Sequence, residues 1–285
     1  MNVSPLFRIN FAVNQAFTGC QNRCGWLKTA VNRRDSIPPV RAEGVITLRK
    51  LGIVGGTSWS STALYYEHIN KGVARRLGGL HSARLCIESL DLAPFAAMEL
   101  SGDWDGVAKV TLEAAKRLQA SGAEGVIITS NTGHKVYDAV AANIGVPMLH
   151  IGDATADQLV ADGRTRVALL GTRFTMTEPH VRSRLEGRGI NLVPVEPEWI
   201  AEVDRIIFDE LAAGRVVRDS QRKLKTLITE LGKRKVQAVV LGCTELVLAV
   251  DVKANVLPVY DTTVIHARAA VEWMLAEEEE ARAAA

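Results

Sequence analysis

The chain is poor in aromatics and cysteine and has no long apolar run. Aromatic residues make up 5% of its 285 positions, so its core has to be built from Val, Ile, Leu and Ala. Its four cysteines, Cys20, Cys24, Cys86 and Cys243, give no disulfide framework for a chain of this length. Such sparse use fits a reducing cytoplasm. Cys20 and Cys24 have no second pair nearby, which argues against a zinc site. No stretch approaches the roughly 20 apolar residues that span a bilayer. Charge of either sign is not in excess: 34 basic residues face 32 acidic ones, for a net +2. That balance gives no case for nucleic acid or a membrane surface as partner. The phosphate-loop, His-Glu-x-x-His and Gly-x-Ser-x-Gly patterns are missing too, and the six histidines do not cluster at metal-ligand spacing.

What is present is a 47% hydrophobic chain, enough for one large or two medium domains. Residues 1–46 stand apart. They are Arg-rich, interrupted by Pro38-Pro39, and carry only Asp35 and Glu43 as carboxylates. The segment lacks the apolar stretch of a secretory signal. Its composition alone allows a transit peptide but fits a disordered extension better.

Beyond it, short apolar runs empty into small polar residues. Val239-Val240-Leu241-Gly242 leads into Cys243-Thr244-Glu245, and Val126-Ile127-Ile128 leads into Thr129-Ser130-Asn131-Thr132. This is how a buried parallel strand reads at its carboxyl end, the end that faces the ligand crevice in an open α/β sheet. Cys243 is then expected on a turn entering a helix N-terminus, where a thiolate is stabilised. The alternative is a buried cysteine acting as a small hydrophobe. A second pair of runs ends at Gly55 and at Gly171. Thr129 stands before Gly242 by nearly the spacing that separates Gly55 from Gly171, which suggests an internal duplication. The fold class is therefore α/β: two similar doubly wound parallel-sheet lobes facing each other across an active-site cleft. The lobes are expected at 47–150 and 151–261. Helical patterns in the second run near 175–187, 198–212 and 217–232.

Three turns together are more specific than any one. Gly55-Gly56-Thr57-Ser58-Trp59-Ser60-Ser61-Thr62, Ser130-Asn131-Thr132-Gly133-His134-Lys135 and Gly242-Cys243-Thr244-Glu245 resemble the signature turns of the aspartate/glutamate racemase family. The resemblance covers about residues 49 to 276. It implies a cofactor-independent, homodimeric enzyme that moves the α-proton of a small amino-acid substrate between two cysteines. It also implies a helix at 262–276 that returns to the first lobe. By the resemblance, the first cysteine position falls at Thr129, leaving Cys243 as the main acid/base and facing the L enantiomer. The hydroxyl at Thr129 is a far poorer base, so turnover is expected to favour L substrates in rate. Substrates like aspartate or glutamate follow from the family name.

The α-carboxylate needs N–H and hydroxyl donors. Gly56, Thr57 and Ser58 can supply them from the first turn, and Ser130, Asn131 and Thr132 from the second. Thr172, Thr175 and Thr244 can do so from the second lobe. Asn131 and Thr132 could instead be simple helix caps, and Thr172 and Thr175 turn residues only. His134 could polarise the site or hold Thr129. Glu245 could cap its helix or bias the ionisation of Cys243. Where the family's aspartate-specific branch has a lysine and a tyrosine, this chain has Ala212 and Phe208. Arg84, Arg173 and Lys135 are the candidate replacements. No metal site is expected. Two further functions stay open: a decarboxylase of arylmalonate type, which resembles this family but keeps a single cysteine, and a non-catalytic small-acid binding protein. Tyr65, Tyr66 and Leu80 are the one hint of a dimer surface.

Overall fold

Val, Ile, Leu and Gly dominate the strands because both faces of each central strand are covered. The computed structural model describes residues 48–284, with side chains to residue 276; the extension at 1–46 lies outside the described residues. β1 (Leu51–Gly55), β2 (Leu85–Ser89) and β3 (Gly125–Ile128) form one parallel sheet in the order β2-β1-β3. β4 (Arg166–Gly171), β5 (Asn191–Leu192), β6 (Ala238–Gly242) and β7 (Val259–Asp261) form a second, in the order β5-β4-β6-β7. All pairings are parallel. β1, β3 and β6 are buried along their whole length, so they read as continuous apolar runs without alternation.

The two sheets share one topology. β4, β5 and β6 stand to each other as β1, β2 and β3 do, and β7 is added at the edge. Register makes the match residue by residue. Val54 pairs with Ile128 in the first sheet, and Leu170 pairs with Leu241 in the second.

The first lobe carries α1 (Trp59–Leu77), α2 (Leu92–Ser101), α3 (Trp104–Ala120) and, after a 3-10 turn at Thr132–Val136, α4 (Tyr137–Ala141). α5 (Ile151–Ala161) leads into the second lobe. There follow α6 (Arg173–Thr177), α7 (Pro179–Glu186), α8 (Pro197–Arg205), α9 (Arg218–Lys233) and α10 (Leu246–Ala249). The last helix, α11 (Thr262–Ala284), lays Ala267, Ala270, Val271 and Met274 against Tyr65, Ile69 and Val73 of α1, beside β1. Truncating a fully buried residue such as Ile69 to Ala in such a cluster costs about 2–5 kcal/mol. Among the described residues, no helix is long and apolar enough to cross a membrane.

Three expectations need correction. The helix expected at 175–187 is broken at Glu178, because Pro179 cannot continue α6 and instead starts α7. The helix expected at 198–212 changes winding midway, its second half being a π-helical turn at Ile206–Leu211. Tyr65 is not on the surface: it is fully buried and bonds to His266 Nδ1 at 2.9 Å. Tyr66 and Leu80 are exposed.

Candidate active site

Each site turn is forced by local chemistry. Gly56 sits at φ 82°, and a Cβ there would lie 2.1 Å from the Leu90 carbonyl oxygen. Only glycine lets β1 run this close to the start of α2. The Gly56 N–H donates to Thr62 Oγ1 at 2.8 Å, which ties the turn to α1. Ser58 holds φ 146°, a strained value for a residue with a side chain. Its Oγ accepts from Ser61 N at 3.5 Å and so caps α1.

A cavity of about 310 Å³ lies where the strand ends of the two sheets meet. Thr57, Ser130, Asn131 and Thr132 line it from the first lobe, and Thr172, Cys243, Thr244 and Glu245 from the second. The rest of the wall is Leu92, Ala96 and Glu99 of α2, with Ile207, Phe208, Ala212 and Ala213 of the π-helical turn and the residues after it. Hydrogen bonds cross between the lobes at its edge. The Thr132 and Thr172 hydroxyls are 2.9 Å apart, and Ser61 donates to Thr244 Oγ1 and to Glu245 Oε1, the latter at 3.2 Å.

Three buried polar atoms of this lining have no partner: Thr57 Oγ1, Asn131 Oδ1 and Glu99 Oε1. Each costs about 1–3 kcal/mol when left dry and unpaired. The Asn131 amide has a fixed orientation. Thr262 Oγ1 gives its proton to Leu241 O at 2.8 Å, so it can only accept from Asn131 Nδ2 at 3.0 Å. Asn131 Oδ1 is therefore left as an acceptor for a ligand N–H, which is more than a helix cap does.

Cys243 is 7% exposed and free. Its Sγ donates to Glu245 Oε2 at 3.1 Å, which also accepts from Thr244 Oγ1 at 2.7 Å. Burial pushes the thiol pKa well above its ordinary value, and the Glu245 carboxylate adds to the rise. The N–H groups of Glu245 and Leu246 oppose this but do not win. This corrects the expectation of a thiolate held by a helix N-terminus. α10 is only one turn long, and desolvation outweighs it. In the free protein Cys243 is a thiol beside a carboxylate.

The other expected residues divide sharply. Thr129 is 1% exposed and lies under the floor, its Oγ1 held by Val54 O at 3.3 Å and Thr62 Oγ1 at 3.4 Å. It does not line the cavity; Ser130 does. Register gives the reason. Ser130 stands two residues past Ile128, as Cys243 stands two past Leu241, so the counterpart of Cys243 is Ser130. Ser130 Oγ accepts from the Gly133 N–H at 3.1 Å, which leaves its own proton free. Thr175 is also beneath the surface, packed under Thr172, whose Oγ1 caps α6. Gly56 and Ser58 shape their turn without lining the cavity.

His134 is a corrected expectation as well. Its Nε2 accepts from Ile151 N at 3.1 Å, so its Nδ1 carries the proton and donates to Ser130 O at 2.6 Å. Burial, with His150 and His266 close by, drives its pKa well below the ordinary value. It is a neutral strut that pins the Ser130 turn to α5, and it does not reach the cavity.

The three candidate cations are all engaged elsewhere. Arg84 bonds to Leu48 O at 2.8 Å and pairs with Glu124. Arg173 pairs with Asp204, and Lys135 pairs with Glu178 and sits 3.7 Å from the Trp104 ring centre. Among the described residues, no lysine or arginine lines the cavity. Glu99 is the residue that sequence reasoning missed. Its signal was a lone carboxylate in the otherwise apolar run from Leu92 to Met98.

Comparison with known proteins places the chain among racemase relatives. A family model described as Asp/Glu/Hydantoin racemase matches residues 54–270. A Yersinia pestis protein provisionally named an Asp/Glu racemase has a solved structure that superposes with TM-score 0.75 at 40% identity, over 80% of this chain and 100% of that one. An aspartate racemase homologue from Pyrococcus horikoshii superposes with TM-score 0.68 at 34% identity, over 80% of this chain and 99% of that one. The broad specificity amino-acid racemase RacX of Bacillus subtilis is 24% identical over 174 residues, 61% of this chain and 75% of that protein.

Proposed function

The chain belongs to the Asp/Glu/Hydantoin racemase family, and on that premise we propose that it racemises a free α-amino acid without a cofactor, using Cys243 on one face of the α-carbon and Ser130 on the other. The observation that carries this reading is the pairing of one thiol and one hydroxyl. They stand at equivalent strand ends, one from each lobe, on a cavity whose unpaired polar atoms suit a zwitterion. Asn131 Oδ1 can accept from the α-ammonium group. Thr57 Oγ1 can donate to the α-carboxylate.

The α-proton of an amino acid is very weakly acidic, so the electron pair left behind needs fixed donors around the carboxylate. Cys243 first gives its thiol proton to Glu245 Oε2, along the 3.1 Å bond between them. The thiolate then takes the α-proton, and the C–H electron pair moves into the substrate carboxylate. Ser130 returns a proton to the opposite face from its free O–H, and the Gly133 N–H on its Oγ stabilises the oxygen as that proton leaves. Water restores the Ser130 proton, and Glu245 releases the one it took. In the reverse sense Ser130 would have to act as base. An alcohol holds its proton far more tightly than a thiol, so deprotonation from that side is slow.

The test places a thiol at each candidate position. In deuterium oxide, Ser130→Cys should speed α-exchange of the enantiomer that the native protein handles poorly, and Thr129→Cys should not. The opposite result would restore Thr129 as the second group. A homodimer is part of the same proposal, resting on the family and on exposed Tyr66 and Leu80. A monomer by light scattering at micromolar concentration would count against it.

A further inference from the structure

One end of the cavity is polar and carries the reacting groups; the other is apolar with a single carboxyl. α2 begins beside the Gly55-Gly56 turn, where Leu90 N–H donates to Gly55 O at 2.9 Å. From there it runs away from the turn. Leu92, Ala96 and Glu99 fall on one face of it, at spacings of four and three, and all three line the cavity. At 1.5 Å per residue, Glu99 is about 10 Å further along the helix than Leu92. Ile207, Phe208, Ala212 and Ala213 form the facing wall. The walls thus suit a hydrocarbon chain, and Glu99 is the polar group at its far end.

Glu99 is only 5% exposed, and its Oε1 has no hydrogen-bond partner. Burial raises its pKa to about 7, so the group is poised between its two forms at neutral pH. A buried carboxyl without a partner is costly, and a cation delivered by a ligand removes that cost. A ligand carboxylate would meet the opposite situation. It would be desolvated beside Glu99 with no lysine or arginine, among the described residues, in the cavity lining to receive it.

We infer that Glu99 sets side-chain specificity, and that the amino acid bound here has an aliphatic side chain ending in an ammonium or guanidinium group, not in a carboxylate. The inference rests on the racemase reading for the α-carbon end of the cavity. It departs from the acidic substrates that the family name suggests.

Calorimetric titration of the full chain with three ligands tests it without requiring turnover. L-Lysine is compared with L-norleucine, which lacks the terminal ammonium, and with L-aspartate. L-Lysine should bind at least tenfold tighter than either. In Glu99→Gln the L-lysine affinity should fall at least tenfold while that for L-norleucine holds, which also shows that the variant is folded. Tighter binding of L-aspartate than of L-lysine by the native protein would overturn the inference, as would failure of all three to bind. A Glu99→Gln variant with unchanged L-lysine affinity would overturn it as well. If the variant does not fold, the native ranking decides. The two readings fail separately. L-Lysine binding without α-exchange would remove the racemase and leave Glu99 as the selector. Exchange confined to L-aspartate would do the reverse.

Discussion

The carboxyl ends of β3 and β6 occupy equivalent places in two sheets of the same order, yet they carry different chemistry. β6 presents a thiol backed by the Glu245 carboxylate. β3 presents a hydroxyl backed by the Gly133 N–H. A carboxylate beside a thiol can take its proton, whereas an N–H beside a hydroxyl oxygen favours giving one up to the substrate. On the proposed reading, the duplicated frame supplies two sites of approach to one carbon, and the side chains suit one of them to proton removal and the other to proton return.

Removing the thiol breaks the comparison outright. Cys243→Ala should lower α-exchange by about 10⁴-fold, since among the described residues no other thiol lines the cavity and positioned acid/base groups contribute about 10²–10⁴-fold each. Full activity in that variant would end the proposal. Next comes the carboxylate behind the thiol. Glu245→Gln should slow exchange by about 10²-fold, because the thiol proton loses its acceptor. It should also speed alkylation of Cys243 by iodoacetamide, because the carboxylate no longer holds the thiol pKa up. Faster exchange in this variant would mean that Glu245 only hinders ionisation. In the native protein the thiol proton passes to Glu245 within the site, so the exchange rate should be level across neutral pH; in Glu245→Gln the thiolate has to form by losing its proton to solvent, and the rate should climb with pH.

A smaller effect concerns stability. The Glu99 pKa is raised from 4.5 to about 7 on folding, so the folded state holds this proton more tightly than the unfolded state. Its contribution is fully present below pH 4.5 and is lost as pH rises through about 7, an effect on the order of 3 kcal/mol. Glu99→Gln should remove that loss. Urea unfolding of the native protein and the variant should therefore diverge between pH 4.5 and 8, with the variant the more stable at neutral pH. Parallel curves would mean that Glu99 is not desolvated. The smallest expected effect lies at the lobe contact, where Thr132→Val removes the 2.9 Å bond to Thr172. It should cost about 1 kcal/mol.

The buried strands β1, β3, β4 and β6 and the three turns were legible in the sequence because both lobes use the same buried parallel-strand pattern; β5, only two residues long, was not. Phe208 and Ala212, the two positions that the family resemblance singled out, also line the cavity. What was not legible falls into three kinds. The choice between Thr129 and Ser130 depends on strand register, a matter of one residue that apolar patterning cannot fix. The thiol state of Cys243 depends on burial and on the direction of the Glu245 side chain, which sequence spacing does not report. α2 escaped notice because Leu92–Ser101 is apolar nearly all round and shows no amphipathic face. Glu99 was missed with it.

The most direct test of the asymmetry between the two strand ends is α-hydrogen exchange of the native protein in deuterium oxide, followed separately from each pure enantiomer of an amino acid that it binds. The enantiomers must reach an equilibrium constant of one, so any asymmetry is kinetic. If Cys243 meets the α-hydrogen of the L form, as the family resemblance implies, α-protium should be lost much faster from the L form than from the D form. Equal rates from the two enantiomers would contradict the account.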